Sequence, residues 1–443
     1  MKSSTPEPTR EDGAAIPTPT LTDAEWERIR QLLSVDLEAT ARATGALTRR
    51  RQVRCASDLL RIVLAYAVCD FSLRLLGVWC VLRGLGNLSD VALRKRVRQS
   101  RRWLGTLVVA VLCQRRLMVQ TLPAVRLRLI DATSLSRPGS SGTTWRVHLS
   151  LDLGRLCLDA IDVTDAHGAE SLVRFSPDPQ AIQIADGGYS YRFSLESALN
   201  VAAPLIVRWH VGRCRLDDDQ GVRLDVLAWL RRSETTATHR ECGVRLTDAP
   251  DVMPLRLIVA AVPSEAAERA RRRVRSIASR KGYTPSQDSL YAAGFVMLLT
   301  NLPPADYSAP LCLALYRLRW QIELAIKRLK SVLDLDELRA HDAEMAQSYL
   351  LAKLLAALCL EAVTAGGATP LDDWLADAQR PLSAWRWTVL TWDALRSSVR
   401  GSLALADVLA ALPKLRRFLC DAPRRRRQHA AAARVWLASL VTC

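Results

Sequence analysis

The segment YRLRWQIELAIKRLKSVL, residues 316–333, combines an apolar stripe with one acid placed among several bases. In a continuous helix, at about 100° per residue, the apolar side chains would share one side and face a core. The adjoining arc would hold five polar residues: Tyr316, Arg319, Glu323, Lys327 and Lys330. Surface ion pairs at i,i+4 spacing would explain this arc. An acidic site that binds a polyanion would also explain it.

The charge of the whole chain favours a polyanionic partner. The 443 residues carry a formal net charge of +17, and the sequence pI is near 9.8. Arginine outnumbers lysine 55 to 7 among the 62 basic residues. Because arginine binds phosphate through two parallel hydrogen bonds, this bias indicates nucleic acid. An ordinary solvated basic surface in an arginine-rich proteome is the alternative.

Cysteine spacing and hydropathy argue against several classes of protein. Eleven cysteines are scattered without a CxxC pair or a Cys/His cluster, which argues against a zinc site and a disulfide framework and for a reducing compartment. The N-terminus lacks the apolar core of a signal peptide. Charged residues interrupt the two most apolar runs, at Asp70 and Arg74 and at Lys353 and Glu361. We therefore expect a soluble cytoplasmic protein without a membrane segment.

The pattern along the chain predicts four regions. Residues 1–22 read as a disordered tail, 23–124 as a helical DNA-binding region, 125–340 as a catalytic domain and 341–443 as a C-terminal helical region. Helices are expected at 56–68, at 72–84 and after the N-cap Ser89. The last of these carries Arg94 and Arg98, which either contact DNA or form a solvated basic face.

Two predicted strands end in an aspartate. VRLRLIDATSL (125–135) reads as a strand ending at Asp131, and AIQIADGGYS (181–190) as a strand ending at Asp186. Asp131, Asp186 and Glu323 would repel one another unless divalent cations neutralise them. Ligation by oxygen alone favours Mg²⁺ or Mn²⁺, and two such ions can cleave a phosphodiester.

Tyr316, Arg319, Glu323 and Lys330 match the pattern Y-x2-R-x3-E-x6-K, which resembles insertion-sequence transposases of the IS4 group. LIDATSL and IADGGYS resemble the two aspartate motifs of that family, and GTTWRVHLSLDL (142–153) its hairpin. The resemblance covers roughly residues 50–340. It implies an α/β fold: an RNase H-like mixed sheet with a mostly β insertion at about 212–292, flanked by helical regions.

The resemblance also implies a mechanism and partners. Asp131, Asp186 and Glu323 would be the catalytic triad and would bind two Mg²⁺ or Mn²⁺ ions. Tyr316, Arg319, Lys327 and Lys330 would contact DNA. The substrates would be double-stranded terminal inverted repeats and target DNA, held by a homodimer in a synaptic complex. Such an enzyme would work in the bacterial cytoplasm, associated with the nucleoid when bound to DNA.

One position departs from the family pattern. Gly187 stands where the second motif usually has arginine, so either Arg192 or Arg208 substitutes for it or activity is reduced. Two alternatives therefore stay open. The chain could be a catalytically impaired, transposase-derived DNA-binding protein, or an RNase H-like nuclease that cuts without strand transfer.

Overall fold

The computed structural model describes residues 21–117, 126–365 and 383–401, with short gaps at 34, 141, 154–156, 177, 233–238 and 250, and five further positions between 408 and 415. The predicted disordered tail lies almost entirely outside the described residues. The first described helix begins at Leu21, within the last two residues of that predicted tail.

In the described part of the chain, six helices precede the first strand, and polar side chains cap several of them. They are α1 (Leu21–Gln31), α2 (Leu37–Ala43), α3 (Ala56–Val68), α4 (Leu73–Leu82), α5 (Asp90–Gln99) and α6 (Arg101–Leu117). Ser89 accepts a hydrogen bond from the backbone N–H of Ala92, as expected of an N-cap, and Ser72 caps α4 in the same way. The three helices predicted from the sequence are therefore confirmed, with α4 slightly shorter than expected.

A nine-stranded mixed sheet forms the centre of the described chain. Its strands are β1 (Arg126–Leu135), β2 (Trp145–Asp152), β3 (Cys157–Asp165), β4 (Ala181–Ala185), β5 (Leu205–Arg208), β6 (Leu216–Asp217), β7 (His239–Leu246), β8 (Leu255–Ala261) and β9 (Phe295–Thr300). Their spatial order is β3-β2-β1-β4-β5-β9-β8-β7-β6. Pairs β1–β4 and β4–β5 are parallel, and the other named pairs are antiparallel. The predicted mixed sheet and the hairpin β2–β3 are thus confirmed.

The insertion between β5 and β9 differs from the prediction of a mostly β region. Its described part holds helices of 7, 17 and 6 residues, namely α8 (Val226–Arg232), α9 (Ser264–Arg280) and α10 (Gln287–Ala292). Its strands have 2, 8 and 7 residues. The prediction was wrong because the alanine- and arginine-rich segment forms one long helix, which these strong helix formers favour. Strands β7 and β8 extend the central sheet through β9.

Hydrophobic layers cover both faces of the sheet. One face packs against the N-terminal helices together with α12 (Trp320–Ser331) and α13 (Ala343–Ala365). The other face packs against α7 (Arg192–Asn200) and α8, and Trp229 of α8 contacts this second core. Helix α14 (Ala384–Arg400) packs against α3 and α13. Helices from both predicted flanking regions therefore share one core.

Helix α13 is the one described helix that is long and apolar enough to cross a membrane. However, 78% of its apolar window is buried inside the protein. It is apolar on all sides because other helices surround it. This burial is typical of a core helix.

Candidate active site

Asp131 and Asp186 lie at equivalent positions of two neighbouring parallel strands. The parallel register pairs Ile130 with Ala185, and each aspartate is the next residue. Side chains alternate along a strand, so Asp131 shares a face with Leu129, and Asp186 with Ile184. Both of these apolar residues belong to the core that includes α12. The two aspartates therefore face the helix that carries the third acid.

Strand β1 does not end at Asp131, contrary to the sequence prediction. It continues to Leu135 because residues beyond Asp131 still pair with β2, Leu135 opposite Trp145. Only its parallel pairing with β4 stops at Ile130. Asp131 therefore lies at an edge of the sheet because its neighbour β4 ends there, not because β1 ends. Val125, assigned to the same strand, lies outside the described residues.

The segment 316–333 is two helices rather than one. Helix α11 (Ala309–Arg317) carries Tyr316, and α12 begins at Trp320 with Arg319 as its N-cap residue. At the junction the backbone forms the tighter hydrogen bonds that join residues three apart. The N–H of Arg319 donates to the carbonyl oxygen of Tyr316, and the N–H of Ile322 donates to that of Arg319. The single helical arc predicted from the sequence is therefore wrong. Glu323 lies in the first turn of α12, and α12 packs against β1.

Arg319 connects two of the three acids. Its Nη1 lies 3.4 Å from Asp131 Oδ2, and its Nη2 donates to Glu323 Oε1. The guanidinium and the Asp131 side chain are only 16% and 17% exposed. The i,i+4 pair that forms on this helix is thus Arg319–Glu323, partly buried and shared with a distant aspartate.

The carboxylates share one edge without forming a closed coordination shell. Within the described chain, no three His, Cys, Asp or Glu side chains are close enough to hold a metal ion. Arg319 instead lies against Asp131 and Glu323 and supplies the opposing positive charge. Burial, followed by the negative charge of Asp186, raises the pKa of Asp131 from 3.8 to about 7. A cation at this edge would relieve that electrostatic cost.

The bases and the phenol of the predicted motif divide into two groups. Tyr316 packs beside Arg319, whose guanidinium carbon lies 5.8 Å from the ring centroid, and burial raises the pKa of the Tyr316 phenol. Lys327 is exposed and Lys330 half-buried. Neither lysine forms an ion pair with another described residue. These two remain available to an anion, while Arg319 is already paired.

His210 occupies the space beside Gly187. A Cβ on Gly187 would overlap Cδ2 and Nε2 of the His210 ring. Arg192 is held elsewhere, since it donates to Asp248 O at 2.9 Å and pairs with Glu196 at 3.5 Å. His210, which the sequence analysis did not single out, therefore fills the space next to Gly187. Of the two arginines predicted to substitute there, Arg208 is the one whose charge acts on Tyr316 and His210 of the site.

Arg94 and Arg98 line a basic groove of about 670 Å³ formed with residues of α6 and the loop after α2. Arg98 pairs with Glu344 at 2.6 Å and with Asp342 at 3.3 Å, and Arg94 lies 3.6 Å from Asp342. Both arginines still expose about half of their side chains, 55% and 42%. Their contact with DNA stays a prediction.

Sequence reasoning also missed Glu170 and Tyr189. Glu170 precedes a short 3₁₀ turn, and Tyr189 lies within the second aspartate motif, three residues after Asp186. The one available signal was the paired glycine after Asp186. A Cβ on Gly188 would overlap Glu170 Oε2 and lie 3.0 Å from Asp186 Oδ1, so the glycine gives this acid room.

Comparison with known protein families identifies the class. The model of the transposase DDE domain matches residues 125–359, which include Asp131, Asp186 and Glu323. The chain therefore belongs to the family of transposases with a DDE domain.

Curated relatives narrow the class to insertion-sequence transposases. The chain is 40% identical over 333 residues to the putative transposase InsL of insertion sequence element IS186A of Escherichia coli K12, covering 74% of this chain and 90% of the relative. It is also 40% identical over 334 residues to the transposase of insertion sequence element IS421 of Escherichia coli, with the same coverage. The resemblance to the IS4 group is confirmed.

Among solved structures, one match is the cryo-EM synaptic complex of the piggyBac transposase with hairpin DNA. The match has a TM-score of 0.43 and 11% sequence identity, and covers 92% of this chain and 87% of that chain. A likeness at this level carries no argument about fold or function.

Proposed function

We propose that this chain cuts and joins DNA at the ends of an insertion sequence, with Asp131, Asp186 and Glu323 as the catalytic triad. One observation carries the proposal. Three acids from distant parts of the chain converge on one sheet edge, two through parallel register and the third through a helix packed on the same face. We infer that strands β1 to β5, ordered β3-β2-β1-β4-β5, are an RNase H-like core.

The donor set fits two divalent cations, Mg²⁺ or Mn²⁺. All three side chains offer only oxygen, which these hard ions prefer. The fully buried Tyr189 hydroxyl, which has no hydrogen-bond partner in the described chain, is an additional oxygen near Asp131 and Asp186. When bound, such ions activate an attacking oxygen and stabilise the leaving oxygen of a phosphodiester.

The protein's own groups would position the DNA. Lys330 and Lys327 lie on the same helix as Glu323 and would bind backbone phosphates close to the acids. Arg319 would keep the carboxylates of Asp131 and Glu323 oriented through its two contacts. Tyr316 packs against Arg319 and limits its movement. Together these groups bind an anionic strand beside an acidic site.

We propose that the larger assembly follows from this chemistry. The substrates are double-stranded terminal inverted repeats and target DNA, and a homodimer holds the two ends in a synaptic complex in the bacterial cytoplasm. Residues 23–124 form the DNA-binding region and 125–340 the catalytic domain. The groove at Arg94 and Arg98 and the net charge of +17 support a DNA-binding role for the first of these regions.

A cleavage and joining assay tests the proposal. The full chain is incubated with Mg²⁺, DNA ending in the element's own inverted repeats and a target plasmid. Wild type should release 3′ ends and join them to the plasmid. Glu323→Gln should bind the same DNA but neither cut nor join it. Glu337→Gln is the matched control, because Glu337 is exposed in the loop after α12.

Each alternative has its own result. Tight binding without cleavage by the wild type would favour an impaired DNA-binding descendant. Cleavage without joining would favour a nuclease without strand transfer. Full activity of Glu323→Gln would remove that residue from the triad.

A further inference from the structure

A fourth carboxylate lies beside Asp186. Glu170 Oε2 and Asp186 Oδ1 both lie within 3.0 Å of the position that a Cβ on Gly188 would occupy. Asp186 Oδ1 also accepts the Gly188 N–H at 2.8 Å. Glu170 is half-buried and makes no hydrogen bond or ion pair with another described residue. Two acids thus lie close together, and the charges of Arg146 and Arg213 offset only part of the effect of burial and of Asp186 on Glu170.

Two arginines fix the loop that presents Glu170. Arg146 Nη1 donates to Gly168 O at 2.8 Å, and Arg174 Nη2 donates to Ala169 O at 2.6 Å. Arg174 is itself held by Asp162 on β3 at 2.7 Å. Because both carbonyls just before Glu170 are anchored to this side of the sheet, its position is not that of a freely moving surface side chain.

Tyr189 supplies an independent sign that a ligand belongs here. Its side chain is fully buried, and its hydroxyl has no hydrogen-bond partner in the described chain. Burial, followed by the charges of Asp131, Glu170 and Asp186, raises the pKa of this phenol. A buried hydroxyl without a partner costs free energy. Its oxygen thus lies within electrostatic range of these three carboxylates.

We propose that Glu170 is a cation ligand of the active site and binds one divalent ion jointly with Asp186, beside the hydroxyl of Tyr189. The proposal rests on the proposed function, since it extends the acidic triad to four carboxylates. Arg319 neutralises Asp131 and Glu323. The Asp186–Glu170 side of the edge has no such base in hydrogen-bonding contact within the described chain. Arg146 and Arg213 offset part of the charge on Glu170 but form no hydrogen bond with it, so the pair has room for a cation ligand.

Direct measurement of Mn²⁺ binding tests this role without relying on catalysis. The affinity of the full chain for Mn²⁺ is measured by electron paramagnetic resonance of the free ion. Glu170→Gln should weaken the affinity by at least about 10-fold, since the loss of even an outer-shell partner of a metal ligand typically costs about 10- to 100-fold. Glu196→Gln is the matched control because Glu196 is on nearby α7 and pairs with Arg192 at 3.5 Å, outside the site. Its affinity should equal that of the wild type.

A second variant guards against misfolding of the first. Gly188→Ala keeps every charge but displaces Glu170, so it should also weaken Mn²⁺ binding, with thermal unfolding in EDTA confirming that both variants fold. Wild-type affinity in Glu170→Gln, together with lost binding in Asp186→Asn, would overturn the role of Glu170 and leave the triad intact. Unchanged Mn²⁺ binding in Asp186→Asn would instead contradict the proposed function itself.

Discussion

The buried acid Asp131 should destabilise the metal-free protein at neutral pH. A rise of its pKa from 3.8 to about 7 corresponds to about 4 kcal/mol of penalty for the ionised form. Because solvent at the edge of the site screens part of this charge, we expect about half, roughly 2 kcal/mol. Asp131→Asn removes the charge and keeps the shape. It should therefore raise the free energy of unfolding by about 2 kcal/mol while abolishing DNA cleavage.

The pH dependence identifies the cause. Below pH 3.8 the carboxyl is protonated in both states and costs nothing. As pH rises, the unfolded chain loses this proton first, so the penalty of the folded state grows and is complete above about pH 7. The gain from Asp131→Asn should thus be largest at pH 8 and less than half as large at pH 5.

Urea unfolding in EDTA at these two pH values measures the effect. Asp288→Asn serves as control, since Asp288 is 59% exposed and its surface pair with Arg231 should contribute little. A variant Asp131→Asn that is less stable than wild type at pH 8, or whose gain does not change with pH, would refute the electrostatic argument.

Two further predictions concern the surroundings of the acids. Lys330→Ala should weaken binding to terminal DNA and reduce the slope of log affinity against log salt by about 1, measured by fluorescence anisotropy; Lys281→Ala, at the end of α9, is the lysine control, and an unchanged slope would make Lys330 an ordinary surface base. Gly187→Ala should lower the melting temperature because the new Cβ overlaps the His210 ring, and adding His210→Ala should restore it. No rescue in the double variant would mean that the ring does not limit the space at Gly187.

The sequence predicted the secondary structure around the site well where local rules suffice. Ser89 as an N-cap and the strand within GTTWRVHLSLDL (142–153) depend on neighbours only a few residues away. The segment 316–333 was predicted less well. Its apolar spacing fits one helix, but the chain tightens at Leu318 and Arg319 and places Tyr316 on the preceding helix. Such a turn does not change the spacing of apolar residues along the sequence.

By itself, the sequence determined that this protein is basic, that it carries the Y-x2-R-x3-E-x6-K motif and that two aspartates follow short apolar runs. Only the tertiary structure decided which groups meet. Glu170 lies close to Asp186, and His210 covers Gly187, because strand pairing and loop anchoring bring together residues far apart in the chain. Such contacts depend on the packing of the whole fold, which no local pattern of residue types records.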